Sequence, residues 1–289
     1  MTLVTAEQDF GTLWQEAAAQ SPLCVGIDPH AALLAAWGLP DTAESAREFS
    51  LAVIEACAAS PVRLVKPQSA FYERFGSRGV AVLEETLAAA NAAGLLTVLD
   101  VKRGDIGSTM AGYAQAYMDP SSPLAADAVT LSPYLGFGSL APAFDAAREF
   151  GTGIFVLALT SNPDGPQVQH AVTTAGLPVA AEMAVGVERF NAEVGSPRAG
   201  LVVGVTIGDA AARLGIDLGM LGCPVLAPGF GAQGGTVEDL ETVFGESWRS
   251  RRVLVNASRS ILSNGPSTEA MTSEITRTTG VLLRASGLH

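Results

Sequence analysis

The chain has 289 residues, 48% of them hydrophobic and 16% charged, which fills a large core and excludes a disordered chain. Its 17 basic and 29 acidic residues give a net charge of −12, which argues against a nucleic-acid binder yet allows a small anionic substrate in a locally positive pocket. No run reaches the ~18 uninterrupted apolar residues of a membrane span. The first basic residue is Arg47, so no leader peptide is read, and a cytoplasmic protein without membrane or nucleic-acid partners is expected.

Residues 5–20 predict a capping helix, with Thr5 and Gln8 suited to a capping box. A nearly continuous apolar run, 23–28, then predicts the first strand. In 41–60, Phe49, Val53, Ile54 and Cys57 follow helical spacing, with Asp41 and Glu44 as a capping pair. Strands are predicted at 62–66 and 95–100, separated by a helix over 81–93 that stops at Gly94. Helical stretches at 113–118 and 140–150 flank a strand at 127–131, and 153–159 is the fifth strand. The connection 160–200 carries Pro163, Gly165, Pro166, Gly176 and Pro178, the composition of either a mobile lid or a surface excursion. Strands at 201–205, 224–228 and 253–256 complete the set. Eight buried strands alternating with helices over ~250 residues predict a single (β/α)8 TIM barrel domain spanning 1–289. A doubly wound open sheet is the alternative, but no glycine-rich dinucleotide fingerprint follows the first strand.

The polar residues at the predicted strand ends are few. Cys24, Cys57 and Cys223 sit far apart in apolar runs and read as buried thiols, and His30, His170 and His289 form no metal-ligand cluster, so no metal is expected. The 17 basic residues are 15 Arg and two Lys, Lys66 and Lys102. Arg does not release a proton near neutral pH whereas Lys does, and both Lys fall at predicted strand ends, where barrel active sites lie. In an extended strand, residues i and i+2 share a side, so Asp100 and Lys102 project together and the carboxylate steers the ammonium. Asp105 follows the turn at Gly104, and spacing alone does not locate it. Asp28 ends the first strand. Gly229, Gly231, Gly234 and Gly235 predict a nest of backbone amides before a helix, and Arg259 adds a guanidinium, together suited to a phosphate.

These residues resemble the orotidine 5'-phosphate decarboxylase family over roughly 20–265. The strongest match is Asp100-Val101-Lys102-Arg103-Gly104-Asp105-Ile106, the D-x-K-x-x-D-I signature. VGIDP (25–29), VKPQSAFYE (65–73), SPYLG (132–136), LTSNP (159–163), PGFGAQGG (228–235) and NASRSI (256–261) support it, in the form of the longer bacterial subgroup. The resemblance implies cofactor-independent decarboxylation of orotidine 5'-phosphate to UMP and CO2, in pyrimidine biosynthesis. Lys102 would protonate C6, within an alternating array of Lys66, Asp100, Lys102 and Asp105. Asp105, Ile106 and Thr109 would come from the second subunit of a homodimer with shared sites. Asp28 and Lys66 would hold the ribose, Ser161 would face the base, and Gln233 and Arg259 would bind the phosphate. Ser258 departs from the pattern: many relatives carry glycine there, although its backbone can still reach a phosphate. From the residues alone, a Schiff-base aldolase stays open, since it too uses a strand-end Lys and a phosphate nest. By resemblance, a Mg2+-dependent sugar-phosphate decarboxylase or synthase sharing D-x-K-x-x-D also stays open.

Overall fold

The computed structural model describes residues 3, 4 and 8–287. Its eight parallel strands are β1 (Leu23–Ile27), β2 (Leu64–Pro67), β3 (Leu96–Arg103), β4 (Ala128–Leu131), β5 (Gly153–Leu159), β6 (Ala199–Val203), β7 (Val225–Pro228) and β8 (Val253–Ala257). They pair in chain order, and β8 returns to β1, closing the barrel. The chain is therefore a single (β/α)8 TIM barrel and not an open doubly wound sheet. Strand limits differ from the sequence reading by up to three residues, the largest shift being β3, which continues past Asp100 to Arg103.

Side chains alternate along each strand, and that alternation sorts the interior into layers. Cys24, Leu64, Val98, Ala128, Phe155 and Leu254 form a buried apolar lower layer. Two residues further along four of the same strands stand Lys66, Asp100, Thr130 and Asn256, which face a cavity at the C-terminal mouth. The polar site is thus the next step of the same two-residue period that builds the core.

The helix Phe10–Gln20 plugs the opposite end. Its Phe10 and Trp14 join the lower layer, and the Phe10 ring meets Phe155 edge-on with centroids 5.9 Å apart. Gly153 permits this approach, since a Cβ there would lie 2.3 Å from the Phe10 ring. The expected capping box needs correction. Thr5, like His289, lies outside the described residues, and the helix is capped by Asp9, whose Oδ1 accepts from Thr12 N at 3.0 Å.

Asp127 ties the N-terminal segment to the same end. Its Oδ1 accepts from Leu3 N (2.6 Å) and Val4 N (3.1 Å), and its Oδ2 from Thr97 N and Thr97 Oγ1, both at 2.8 Å. Burial pushes this carboxyl up, against these hydrogen bonds, which favour the charged form.

The outer faces of the strands pack against the surrounding helices. The helix Ala43–Ala58 buries Phe49, Val53, Ile54 and Cys57, as its spacing predicts, but its cap is Thr42, whose Oγ1 accepts from Ser45 N at 3.2 Å. Asp41 instead forks onto Arg74, with contacts of 2.8 and 2.5 Å, which a free carboxylate does more favourably than a lone amide contact. The connection 160–200 holds a short helix, Pro166–Gln169, and a long one, Val179–Val194. Gln169 fastens the first part back to the rim, accepting from Thr160 N at 2.9 Å and donating to Thr160 Oγ1 at 2.6 Å. A helix the sequence reading did not assign, Thr268–Ala285, packs Met271, Ile275 and Leu282 into the outer core. Among the described residues no helix is long and apolar enough to cross a membrane.

Replacing Asp127 by Ala removes the acceptor of two buried amides, a half-buried one and a buried hydroxyl, at ~1–3 kcal/mol for each buried donor left without a partner. Asp127→Ala is expected to lose at least ~3 kcal/mol of stability, read as a lower urea midpoint with an unchanged slope.

Candidate active site

The mouth of the barrel is organised around Asp100. β3 and β4 pair in register at Val98–Ala128 and Leu99–Val129, and then slip so that Arg103 meets Leu131. Four steps along β3 therefore answer two along β4, which is a bulge. At its centre Lys102 takes φ +45°, in the left-handed region that non-glycine residues seldom occupy. The sequence reading expected Asp100 and Lys102 to meet through a regular extended segment. They do meet, with Lys102 Nζ donating to Asp100 Oδ1 at 2.6 Å, but through this re-aimed backbone.

Lys66 donates to the other oxygen, Asp100 Oδ2, at 3.1 Å. Thr130 Oγ1 donates to Oδ1 at 2.7 Å. The carboxylate is thus gripped from three sides. The side chains of Lys66 and Asp100 are only 6% and 8% exposed, whereas that of Lys102 is 44% exposed, so one ammonium is buried support and the other faces the cavity. Burial alone would raise Asp100. The charges of Lys66 and Lys102, with the hydrogen bonds from Lys102 and Thr130, overcome it and hold the carboxyl well below the usual range. Burial likewise opposes the charge on Lys66, and the carboxylates of Asp100 and Asp28 overcome that and push Lys66 up. Both partners consequently stay ionised.

A cavity of about 380 Å³ opens above this cluster. Asp28 lines one wall, and its Oδ1 is buried without a hydrogen-bond partner, an acceptor available to a ligand hydroxyl. Gln233, Ser258 and Arg259 also line the cavity, with Gly229. Leu157, Val202 and Leu226 supply apolar lining.

The glycine loop corrects the expected amide nest. Gly231 N donates to Gly235 O (2.9 Å), Gly234 N to Gly231 O (2.8 Å) and Gly235 N to Gly229 O (3.0 Å), so three of those amides serve the loop itself. The helix that follows, Val237–Arg249, is closed by its own capping box between Thr236 and Asp239. The side-chain donors that line this part of the cavity are those of Gln233 and Arg259. Ser258, the departure from the family pattern, is accommodated by Gly26: a Cβ on Gly26 would lie 1.9 Å from Ser258 Oγ.

A single chain thus brings Asp28, Lys66, Asp100, Lys102, Gln233, Ser258 and Arg259 to one cavity. It does not bring Asp105, Ile106, Thr109 or Ser161 to the cavity wall. Asp105 Oδ1 accepts from Ile106 N at 2.8 Å, Ile106 is 61% exposed, and Ser161 is exposed beside Thr160, which does line the cavity. Sequence reasoning missed Gln68, Phe71 and Thr130 as cavity residues. Thr130 had a faint signal, a hydroxyl in the last turn of pleat of an otherwise apolar strand. Among the described residues no group of three or more His, Cys, Asp or Glu side chains is placed to hold a metal ion.

Residues 21–273 match the family described as Orotidine 5'-phosphate decarboxylase / HUMPS. The chain belongs to this family. It is 55% identical over 253 residues to the orotidine 5'-phosphate decarboxylase of Streptomyces coelicolor, covering 87% of this chain and 88% of that one. The Salinispora arenicola protein of the same name is 53% identical, with 91% and 93% covered. A crystal structure from Streptomyces avermitilis, assigned to the same enzyme, superposes with a TM-score of 0.90 at 51% identity, covering 99% of this chain and 97% of that one. The Leishmania donovani OMP decarboxylase superposes with a TM-score of 0.74 at 30% identity, with 95% and 98% covered.

The lowered Asp100 carboxyl makes a signed prediction. A group depressed in the fold contributes stability that is present above its unfolded value, ~3.9, and lost as the pH falls through the folded value. Asp100→Asn is therefore expected to be clearly less stable than the parent chain at pH 7. The gap should narrow progressively below about pH 4, as measured by thermal melts across pH.

Proposed function

We propose that this protein decarboxylates orotidine 5'-phosphate to UMP and CO2, with Lys102 as the proton donor. The observation that carries the reading is the half-exposed Lys102 ammonium at the cavity floor, held 2.6 Å from a carboxylate that a second, buried lysine keeps ionised. The family and its named bacterial relatives supply the reaction, and this geometry suits it.

When the bond from C6 to the carboxylate breaks, its electron pair stays on C6 in the plane of the ring. No electron sink is built into the scheme, so the developing charge has to be met by a preorganised cation. Lys102 does this and then transfers a proton from Nζ to C6, after which solvent reprotonates the amine. Asp100 orients the ammonium and, because it stays ionised, does not compete for the proton. Its repulsion of the substrate carboxylate has a secondary place. Asp28 and Lys66 hold the ribose hydroxyls, the unpartnered Asp28 Oδ1 being the acceptor on that wall. Arg259 and Gln233, with the backbone at Ser258, take the phosphate, and Ser161, exposed beside Thr160 and off the cavity wall, is assigned to the base by the family resemblance alone.

The active unit is a homodimer. Asp105, Ile106 and Thr109 lie outside their own chain's cavity wall, on an exposed rim, and complete the partner's site, with Asp105 extending the Lys66, Asp100, Lys102 array. Buried, unpaired Cys24, Cys57 and Cys223 suit a cytoplasmic setting.

Lys102→Ala is expected to lower kcat/KM for orotidine 5'-phosphate at least ~10³-fold while the far-ultraviolet circular dichroism is unchanged. The assay is the loss of substrate absorbance, and normal turnover by this variant defeats the reading. EDTA should leave the parent rate unchanged, whereas a Mg2+-dependent sugar-phosphate enzyme would lose it. Mixed Lys102→Ala and Asp105→Ala chains, each inactive alone, should recover about a quarter of the parent activity, since random two-fold pairing makes half the dimers mixed with one intact site each. No recovery in proven heterodimers would return Asp105 to its own chain's site.

A further inference from the structure

The geometry points to Thr130 as a positioning residue that aims the Lys102 ammonium, acting through both the Asp100 carboxylate and the Lys102 backbone. This rests on the proposed role of Lys102 and adds to it a residue on a different strand, outside the D-x-K-x-x-D segment.

Thr130 stands on β4 opposite the bulge in β3 and is 1% exposed. Its hydroxyl makes two contacts, Lys102 N at 3.0 Å and Asp100 Oδ1 at 2.7 Å. Their chemistry leaves a single orientation. A backbone N–H only donates, so Thr130 Oγ1 accepts from Lys102, and its one proton is then given to Asp100. The hydroxyl therefore couples the two members of the pair it does not belong to.

Each contact answers a specific need. The slip between β3 and β4 removes the strand carbonyl that the Lys102 amide would otherwise meet, and the Thr130 hydroxyl takes that place. It also helps hold Lys102 at φ +45°, a conformation that costs a non-glycine residue energy and persists only where its surroundings impose it. At the other end, Asp100 Oδ1 accepts from both Thr130 and Lys102 Nζ, while Oδ2 accepts from Lys66. Without the hydroxyl, Oδ1 loses one of the two donors that fix its plane. The carboxylate is then free to rotate about the Lys66 contact, and the Lys102 side chain, the most exposed of the cluster, follows it.

A residue of this kind acts on the reaction step more than on binding. The proposed phosphate contacts, Gln233 and Arg259, lie outside this cluster, and Lys66 grips the other carboxylate oxygen, whereas a displacement of about 1 Å at the reacting group costs on the order of a hundredfold in rate. Thr130→Val keeps the shape and removes the hydroxyl, and Thr130→Ser keeps the hydroxyl and removes the methyl. We expect Thr130→Val to lower kcat by about ten- to a hundredfold, with KM for orotidine 5'-phosphate within about threefold of the parent, and Thr130→Ser to recover most of the rate. If Thr130→Val does not fold, Thr130→Ala takes its place in the same comparison with Thr130→Ser.

Two results overturn the proposal while leaving the role of Lys102 intact: kcat of the hydroxyl-free variant within about twofold of the parent, or equal loss in the Ser and Val variants. A rise in KM at unchanged kcat also overturns it, by making Thr130 a substrate contact. Lys102→Ala, assayed alongside, separates the two levels, because turnover by that variant removes the proposed donor and the positioning role with it.

Discussion

A carboxylate buried between two ammonium groups sets the terms for the rest of this molecule. Asp100 is 6% exposed, and an isolated charge at that depth would neutralise or unfold the site. Lys66 at 3.1 Å and Lys102 at 2.6 Å keep it ionised, and Thr130 supplies a third, neutral donor. The three groups are unequal. Lys66 is sealed in and serves as ballast for the charge, whereas Lys102 reaches into the cavity. One carboxylate thus holds a buried ammonium on its inner side and presents a second ammonium to the cavity on its outer side. A pair alone would leave the carboxylate with a single partner, and any proton leaving Lys102 would expose an uncompensated negative charge. The second lysine removes that penalty.

This arrangement depends on where the barrel changes character. Along β2, β3, β4 and β8, one step of the two-residue period separates a packed apolar side chain from a polar one. The lower layer is made dry by Phe10 and Trp14, which fill the end of the cylinder, so the polar layer rests on a low-dielectric floor where its electrostatics are stronger than in water. The bulge in β3 then lifts Lys102 out of the regular alternation.

Much of this was legible in the residues. Eight apolar runs at barrel spacing gave the topology, and two lysines in a chain otherwise supplied with arginine marked the rim. Local chemistry was read less well where a neighbour distant in sequence decided the outcome. Asp41 suited a helix cap until Arg74, 33 residues away, claimed it and left the capping to Thr42. The glycines at 229–235 suggested free amides, but the loop folds back and consumes them. Helix Thr268–Ala285 buries Met271, Ile275 and Leu282 on a narrow face between many polar residues, a weak periodic signal at the end of a chain already complete as a barrel. Thr130 shows on its own strand only as a hydroxyl among apolar residues, and its meaning comes from a bulge in the next one. Asp105, Ile106 and Thr109, proposed above to serve a partner's site, were singled out by motif, and a single chain offers no cavity contact by which geometry could have found them.

The plug at the lower end has a consequence for traffic. With Phe10 seated over Gly153 and Trp14 anchored through Nε1 to Pro197 O at 2.8 Å, packed side chains fill the lower end of the cylinder. In the proposed reaction, nucleotide, released gas and the proton that restores the amine use the same doorway, the C-terminal mouth. Departure must then be sequential or side by side at that doorway, and whatever narrows it governs the pace at which the chamber empties and refills.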